Sequence, residues 1–231
     1  FTADHGMAFP GAKTTVYEAG LRVPFVVRDP NAPAKGLTND AMISHADITP
    51  TILNIAGALN LKKNAPKNPL KVEKVGVGEN AGEIPKTYHG RSWLSLVGTA
   101  KSEGWDQIGA SHTFHEIQMY YPMRVIRDRN YKLIWNIAYR QPYPFASDLW
   151  VAATWQAQWE KGKDADYGGR TVDSYINRPQ FELFDIASDP NESRNLAGDP
   201  AYAETLEKYK ALLKADEKRT GDPWIMKWDY E

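Results

Sequence analysis

Residues 1–30, FTADHGMAFPGAKTTVYEAGLRVPFVVRDP, place a short polar turn ahead of an apolar run. Asp4 and His5 carry two good metal-ligating side chains, and Gly6 directly after them lets the backbone bend. Residues 23–30 are rich in β-branched and aromatic side chains and end at Asp29-Pro30, which predicts a buried strand. The stretch therefore predicts polar side chains at the end of a core strand, as at the edge of an active site.

A helix is predicted after this strand. Residues 44–59, SHADITPTILNIAGAL, offer Thr49 as an N-cap and Pro50 as a first helical residue. Ile52 and Ile55 then lie on one face, and Gly57 begins to end the helix. A strand followed by a helix is typical of an α/β domain.

The remaining chain predicts a second kind of structure. Residues 61–87 are rich in Lys, Gly, Asn and Pro and predict an exposed loop. Residues 123–127 and 131–137 predict two strands joined by a turn at residues 128–130, and residues 181–190 contain a further strand. A C-terminal helix follows, with one apolar stripe formed by Leu206, Tyr209, Leu212 and Leu213.

This order predicts the fold class α/β in two parts. Residues 1–100 are expected to be the C-terminal part of a doubly wound α/β domain, and residues 101–231 a smaller α+β lobe. In that lobe an antiparallel sheet would pack against the C-terminal helix.

Composition excludes several classes of protein. Hydrophobic residues make up 42% and charged residues 25%, as in ordinary globular domains. The net charge of −1 gives no basic field for nucleic acid, and no apolar run is long enough to span a bilayer. The chain contains no cysteine, which rules out disulfides, thiolate catalysis and cysteine-bound zinc within it.

A fixed cation follows the polar turn. Lys13 stands where an anion site beside a metal would need an ammonium group to hold phosphate or sulfate oxygens. By itself, Asp4-His5-Gly6 is more simply interpreted as a polar turn, and Lys13 as a solvated surface residue. Glu18 and Arg22, four residues apart, predict a structural ion pair.

Candidate substrate-binding residues lie before and within the predicted hairpin: His112, His115, Glu116 and Arg124. These polar side chains of mixed sign suit a sugar pocket, and Arg pairs well with sulfate or carboxylate. Ordinary loop polarity explains them equally well. Trp150, Trp155 and Trp159 fall near one helix face, which favours core packing over a glycan platform.

The motifs, taken in order, resemble type I sulfatases of the alkaline-phosphatase superfamily. TADHG followed by GAK, YE and RVP resembles the family's second signature region, and residues 44–57 its next helix. HGRSWLSLV and FELFDIASDPNESRNLAGDP resemble two later family elements. Residues 109–137, with PYPFASDLW and TGDPW, resemble the heparan N-sulfatase (sulfamidase) branch.

The resemblance implies a function for the complete enzyme. Asp4 and His5 would bind a divalent cation, Ca²⁺, and Lys13 would bind the sulfate. The formylglycine nucleophile is expected upstream, since this chain has no Cys/Ser-x-Pro-x-Arg motif. The chain thus resembles the C-terminal portion of a sulfatase that acts on N- or O-sulfate of a glycosaminoglycan-type sugar, and alone it is expected to be inactive.

Other expectations follow from the same resemblance. The partner would be a sulfated carbohydrate, with no nucleic acid and no membrane span, and a homodimer is one expected assembly. The resemblance implies export to a periplasmic, extracellular or lysosomal space. Two rival functions stay open: a phosphonate or phosphate ester hydrolase of the same superfamily, and a non-catalytic carbohydrate-binding lobe.

Overall fold

A computed structural model of the chain describes residues 1–57 and 88–230, together with the backbone of two short strands between them. It contains two compact units. The first comprises Phe1–Val26 and Gly109–Lys210, and the second comprises Val27–Ile108 and Ala211–Glu231. The predicted boundary near residue 100 stays a prediction for the complete fold. The predicted loop at residues 61–87 lies outside the described residues, apart from those two strands.

The described residues form short helices and mostly antiparallel strands. The strands are β1 Lys74–Val75, β2 Gly82–Glu83, β3 Gln107–His115, β4 Met119–Asp128, β5 Tyr131–Asn136, β6 Asp166–Tyr167, β7 Arg170–Thr171 and β8 Phe181–Asp185. The α-helices are α1 Glu18–Leu21, α2 Ile48–Ile55, α3 Ser147–Trp150, α4 Ala153–Trp159, α5 Val172–Ile176 and α6 Ala203–Thr220. Short 3-10 helices cover His45–Asp47, Leu94–Leu96, Pro200–Tyr202 and Pro223–Asp229. Among the described helices, none is long and apolar enough to cross a bilayer.

A four-stranded sheet with the order β3-β4-β5-β8 forms the centre of the first unit. β4 and β5 are antiparallel, with Met123 opposite Asn136 and Arg127 opposite Lys132. Asp128 closes the hairpin, because its carboxylate accepts hydrogen bonds from the backbone of Asn130 at 2.8 Å and Tyr131 at 2.9 Å. The predicted strands and turn are confirmed here, as is the antiparallel α+β character of this part of the chain.

An aromatic core covers this sheet. Leu133 and Trp135 on β5 are fully buried, and Ile134 between them is 1% exposed, so both faces of the strand are packed. Tyr143, Trp155 and other apolar side chains from the segments after β5 belong to the same buried cluster. Burial of such large rings supplies much of the stabilisation of a small sheet.

The tryptophan prediction is only partly correct. Trp155 is fully buried, but Trp150 is 38% exposed and Trp159 is 43% exposed. The reason is the break between α3 and α4, at residues 151 and 152, which prevents a single helix face from carrying all three rings. Trp155 and Trp159 still stack, with ring centroids 6.3 Å apart.

A buried charge cluster replaces the predicted ion pair between Glu18 and Arg22. The Glu18 carboxylate lies 2.8 Å from Arg127 and 3.3 Å from the Lys132 ammonium, and Lys132 also lies 2.8 Å from Glu192. Arg22 contributes only its backbone N–H, which donates to the Glu18 carbonyl at 2.8 Å. Since α1 is only four residues long and Glu18 is buried, its carboxylate pairs with cations of the sheet instead.

Residues 23–30 do not form the predicted buried strand. The only pairing of this segment among the described residues is an isolated bridge between Thr2 and Phe25, and Val26 is 60% exposed. An extended segment becomes a strand only when a neighbour accepts and donates its backbone hydrogen bonds. The described part of the chain supplies one such contact and no more.

The helix of the second unit begins earlier than predicted. Ser44, not Thr49, is the cap: its hydroxyl accepts from Ala46, and the Asp47 side chain accepts from the Ser44 backbone, so the two form a capping box. Gly57, at φ 64°, ends the helix as predicted. Ile52 and Ile55 are 59% and 63% exposed, so the predicted apolar face is not buried among the described residues.

The C-terminal helix α6 follows its predicted stripe. Tyr209 and Leu213 are each 1% exposed, and Leu206 and Leu212 are half-buried. The Tyr209 hydroxyl donates to the Asp128 carboxylate, which connects the first half of α6 to the β4–β5 turn within the first unit. The i, i+3 and i+4 spacing of apolar residues therefore identified this helix correctly.

Candidate active site

The polar turn at the start of the chain brings two ligand-type side chains together. His5 Nε2 lies 3.6 Å from Asp4 Oδ2, and the two side chains are 43% and 88% exposed. His5 Nδ1 lies 2.6 Å from the Gly6 carbonyl, which can only accept, so Nδ1 carries the proton in the neutral ring. Nε2 then presents its lone pair beside the carboxylate.

Glycine is required directly after these two residues. The Gly6 N–H donates to the Gly20 carbonyl at 2.9 Å, which packs the turn against α1. A Cβ at Gly6 would lie 1.7 Å from the Ala19 carbonyl oxygen, a distance that excludes any side chain. Close backbone approach therefore fixes where Asp4 and His5 stand.

A cation fits this pair by the chemistry of its donors. Carboxylate oxygen is the ligand that Ca²⁺ favours, and a bare imidazole nitrogen also binds divalent cations. Across residues 1–57 and 88–230, no group of three or more His, Asp or Glu side chains is arranged to hold a metal ion. Any metal held by Asp4 and His5 needs further ligands, so the metal assignment stays a proposal.

Lys13 lies on a tight turn after these residues. Its backbone N–H donates to the Met7 carbonyl at 3.1 Å, and its ammonium lies 2.7 Å from Asp148 Oδ2. The Lys13 side chain is 17% exposed, whereas the Asp148 side chain is 49% exposed. The hydrogen bond from Lys13 outweighs the small effect of burial and holds the pKa of Asp148 below its ordinary value. Lys13 is therefore not a freely solvated lysine, because it already engages an anionic group.

The tip of the β3–β4 hairpin connects to the same region. The Ser147 hydroxyl donates to Glu116 Oε1 at 3.2 Å, directly before Asp148. His115 Nε2 lies 3.9 Å from the same carboxylate oxygen of Glu116. The structure thus links two of the predicted substrate-binding residues, His115 and Glu116, to Lys13 through the short helix α3.

The other two predicted residues are more deeply held. His112 Nδ1 lies 3.3 Å from the Tyr121 carbonyl, and its Nε2 is buried without a hydrogen-bond partner among the described residues. Burial lowers the pKa of His112. Arg124 is 5% exposed and donates to the carbonyls of Met123 at 2.9 Å and His112 at 3.2 Å. Their role in substrate binding stays a prediction.

The sequence reasoning missed Asp148 and the tyrosines around Lys13. Asp148 lies 135 residues from Lys13, and Tyr143 and Tyr175 lie 129 and 164 residues from their contacts in the first turn. The only available signal was the density of aromatic residues between residues 139 and 177. That signal indicates a packed core but does not show which backbone the hydroxyl groups face.

Comparison with known proteins decides the family. Residues 1–58 match the family model described as Sulfatase. Over 230 residues the chain is 30% identical to N-sulphoglucosamine sulphohydrolase of Homo sapiens, a match that covers 97% of this chain and 42% of that protein. The chain belongs to the sulfatase family.

Solved structures share the fold of this sulfatase chain. BT4656 in complex with its substrate D-glucosamine-2-N,6-O-disulfate matches with a TM-score of 0.54 at 19% identity, over 90% of this chain and 31% of that chain. BT1596, a 2-O GAG sulfatase, matches with a TM-score of 0.53 at 18% identity, over 91% of this chain and 32% of that chain. The sulfatase chain therefore spans less than half the length of the relatives it matches.

Within this sulfatase chain, the family match includes the whole metal-and-lysine turn. Asp4, His5 and Lys13 all lie in residues 1–58. The hairpin tip and α3 lie outside the matched range, so their link to Lys13 is an observation of this structure alone.

Proposed function

We propose that the complete enzyme containing this chain hydrolyses N- or O-linked sulfate groups on a glycosaminoglycan-type sugar. The observation that carries the proposal is the Lys13 ammonium, which is fixed beside an anion on the same turn as Asp4 and His5. The names of the relatives support the substrate class, since one is an N-sulphoglucosamine sulphohydrolase and another is bound to a disulfated glucosamine.

Each residue of the turn has a separate role in this proposal. Asp4 and His5 would hold a divalent cation, Ca²⁺, which supplies positive charge near the sulfate oxygens when bound. Lys13 would bind a sulfate oxygen by a charge-assisted hydrogen bond. That contact strengthens as negative charge develops on the group being transferred, so it lowers the barrier and does more than bind the ground state.

The hairpin tip would orient the sugar. Glu116 accepts from Ser147 and can accept further hydrogen bonds from sugar hydroxyls, and His115 beside it can donate or accept. His112 stays neutral because burial lowers its pKa, so its free Nε2 would accept and not repel a cationic group. We assign no nucleophile to this chain, which lacks the Cys/Ser-x-Pro-x-Arg motif, and we propose that the chain alone does not turn over substrate.

Activity of the complete enzyme tests the proposal. Turnover is measured on N-sulfated glucosamine, 6-O-sulfated glucosamine and an aryl phosphonate monoester, for the wild type, Lys13→Ala and the control Lys161→Ala. The control lysine is exposed and contacts Gln158. We expect sulfated sugars to be the preferred substrates, and Lys13→Ala to lower kcat/KM by about 100-fold with little change in stability. Preference for the phosphonate would favour the rival hydrolase, and sugar binding without turnover would favour the binding lobe.

A further inference from the structure

The turn that carries Lys13 has an unfavourable backbone. We define the lysine turn as residues 10–15. Within it Gly11 has φ 90° and Thr14, directly after Lys13, has φ 66°. For a β-branched residue such as threonine, a positive φ costs roughly 1–3 kcal/mol and persists only when the surroundings hold it. Some contact must therefore stabilise Thr14 in this conformation.

Tyrosine hydroxyl groups supply contacts on both sides of Lys13. Tyr143 Oη donates to the Thr14 carbonyl at 2.7 Å, and Tyr175 Oη accepts from the Gly11 N–H at 2.7 Å. A third hydroxyl, of Tyr167, donates to the Pro10 carbonyl at 3.1 Å. All three tyrosines come from the segments between β5 and β8, far from the turn in sequence.

The two nearest tyrosine rings are themselves rigid. Tyr143 and Tyr175 are 2% and 1% exposed, and their rings meet edge-on with centroids 5.7 Å apart. The Arg178 guanidinium lies 3.6 Å from the Tyr143 ring centroid, and its Nε donates to the Tyr175 carbonyl at 3.0 Å. Burial raises the pKa of both tyrosines, so the hydroxyl groups stay protonated across the working range of pH.

We propose that Tyr143 and Tyr175 are positioning residues that hold the lysine turn so that the Lys13 ammonium faces the sulfate group. The inference rests on the function proposed above for Lys13. It gives the aromatic core of the lobe a second role, because the packed tyrosines fix the turn and the turn fixes the cation. A displacement of about 1 Å in such a group lowers the rate by up to about 100-fold.

Single hydroxyl deletions in the complete enzyme test the inference. Tyr143→Phe and Tyr175→Phe each remove one contact to the lysine turn and keep the ring. Tyr209→Phe is the matched control, because it removes a tyrosine hydroxyl that donates to Asp128 instead. The readouts are the affinity for inorganic sulfate by calorimetry, kcat and KM separately, and the melting temperature.

The decisive step is to repeat these variants in the Lys13→Ala background. If the tyrosines act through Lys13, each Tyr→Phe change weakens sulfate binding about tenfold in the wild type and has no further effect once Lys13 is gone. The Tyr209→Phe control lowers the melting temperature comparably but leaves sulfate affinity unchanged.

Two results are damaging, and they are distinguishable. If Lys13→Ala weakens sulfate binding but the Tyr→Phe changes do not, or if they weaken it equally in both backgrounds, the positioning role is wrong and the proposed function stands. If Lys13→Ala leaves sulfate binding and turnover intact, the proposed function itself is overturned.

Discussion

The Lys13 ammonium and the Asp148 carboxylate form a 2.7 Å ion pair between residues that are 135 positions apart. The pair joins the turn matched by the sulfatase family model to helix α3 of the aromatic lobe. It also means that the carboxylate and an incoming sulfate compete for one ammonium group. Asp148 therefore keeps Lys13 in place while weakening its attraction for other anions.

Removal of the competing carboxylate is expected to strengthen sulfate binding. An exposed ion pair of this kind is worth about 0.2–1 kcal/mol, so Asp148→Asn in the complete enzyme should raise the affinity for inorganic sulfate about two- to fivefold. Calorimetric titration at constant ionic strength measures this. Glu207→Gln is the control, since it breaks a 2.8 Å pair with Lys210 on α6 and should leave the affinity unchanged. Weaker sulfate binding in Asp148→Asn would show that the carboxylate helps to form the site.

The buried charge cluster should be intolerant of losing its central cation. Lys132 is fully buried between Glu18 and Glu192. We expect Lys132→Met to lower the free energy of unfolding by about 3–5 kcal/mol, because two buried carboxylates lose their shared partner. Urea unfolding of this variant and of the exposed control Lys161→Met measures the difference.

A second substitution shows whether the loss comes from uncompensated charge. Burial raises the pKa of Glu192, so its ionised form is already disfavoured. Glu192→Gln added to Lys132→Met removes one stranded charge and should recover part of the lost stability. A loss below about 1 kcal/mol for Lys132→Met alone would contradict this description of the cluster.

Asp128 should make stability depend on acid pH. Burial raises its pKa, but hydrogen bonds from the Tyr131 N–H, the Tyr209 hydroxyl and the Asn130 N–H outweigh burial and hold the pKa below its ordinary value. The unfolded state then takes up a proton before the folded state does. The stabilisation is therefore fully present above about pH 4 and is lost as the pH falls through the folded-state pKa.

Comparison of the wild type with Asp128→Asn tests this sign. The wild type should be more stable by about 1.5–3 kcal/mol at about pH 6, and the difference should shrink below about pH 4. Urea unfolding between about pH 2.5 and pH 7 measures both, with Asp173→Asn as the exposed control. A difference that stays constant down to the lowest pH would rule out the charged carboxylate as its source.

Local patterns predicted the parts of the fold that local forces decide. The β4–β5 hairpin followed from two β-rich runs around Asp128, whose carboxylate caps the turn it stands in. The helix α6 followed from apolar spacing that matches Tyr209 and Leu213. In each case the residues that determine the element lie within a few positions of it.

Predictions that depended on distant partners did less well. The apolar run at residues 23–30 has the composition of a strand, but a strand needs neighbours, and the described residues supply one bridge, from Thr2. Glu18 has a cation four residues away in Arg22, yet Arg127 and Lys132 take its carboxylate. Composition and spacing carry no information about such contacts.

The candidate site shows the same division. Asp4, His5 and Lys13 could be named because a bend, two ligands and a cation fall within ten residues. Asp148 could not be named, because only the packing of the aromatic lobe brings it to Lys13.

Calcium binding by the complete enzyme tests the central claim, that Asp4 and His5 hold a cation beside an anion-binding lysine. Calorimetric titration with Ca²⁺ compares the wild type, Asp4→Ala and the control Asp29→Ala, which removes a carboxylate that accepts from the Asn31 N–H in another turn. We predict that Asp4→Ala weakens Ca²⁺ binding by at least about tenfold while Asp29→Ala binds as the wild type does. Unchanged Ca²⁺ affinity in Asp4→Ala would contradict the account.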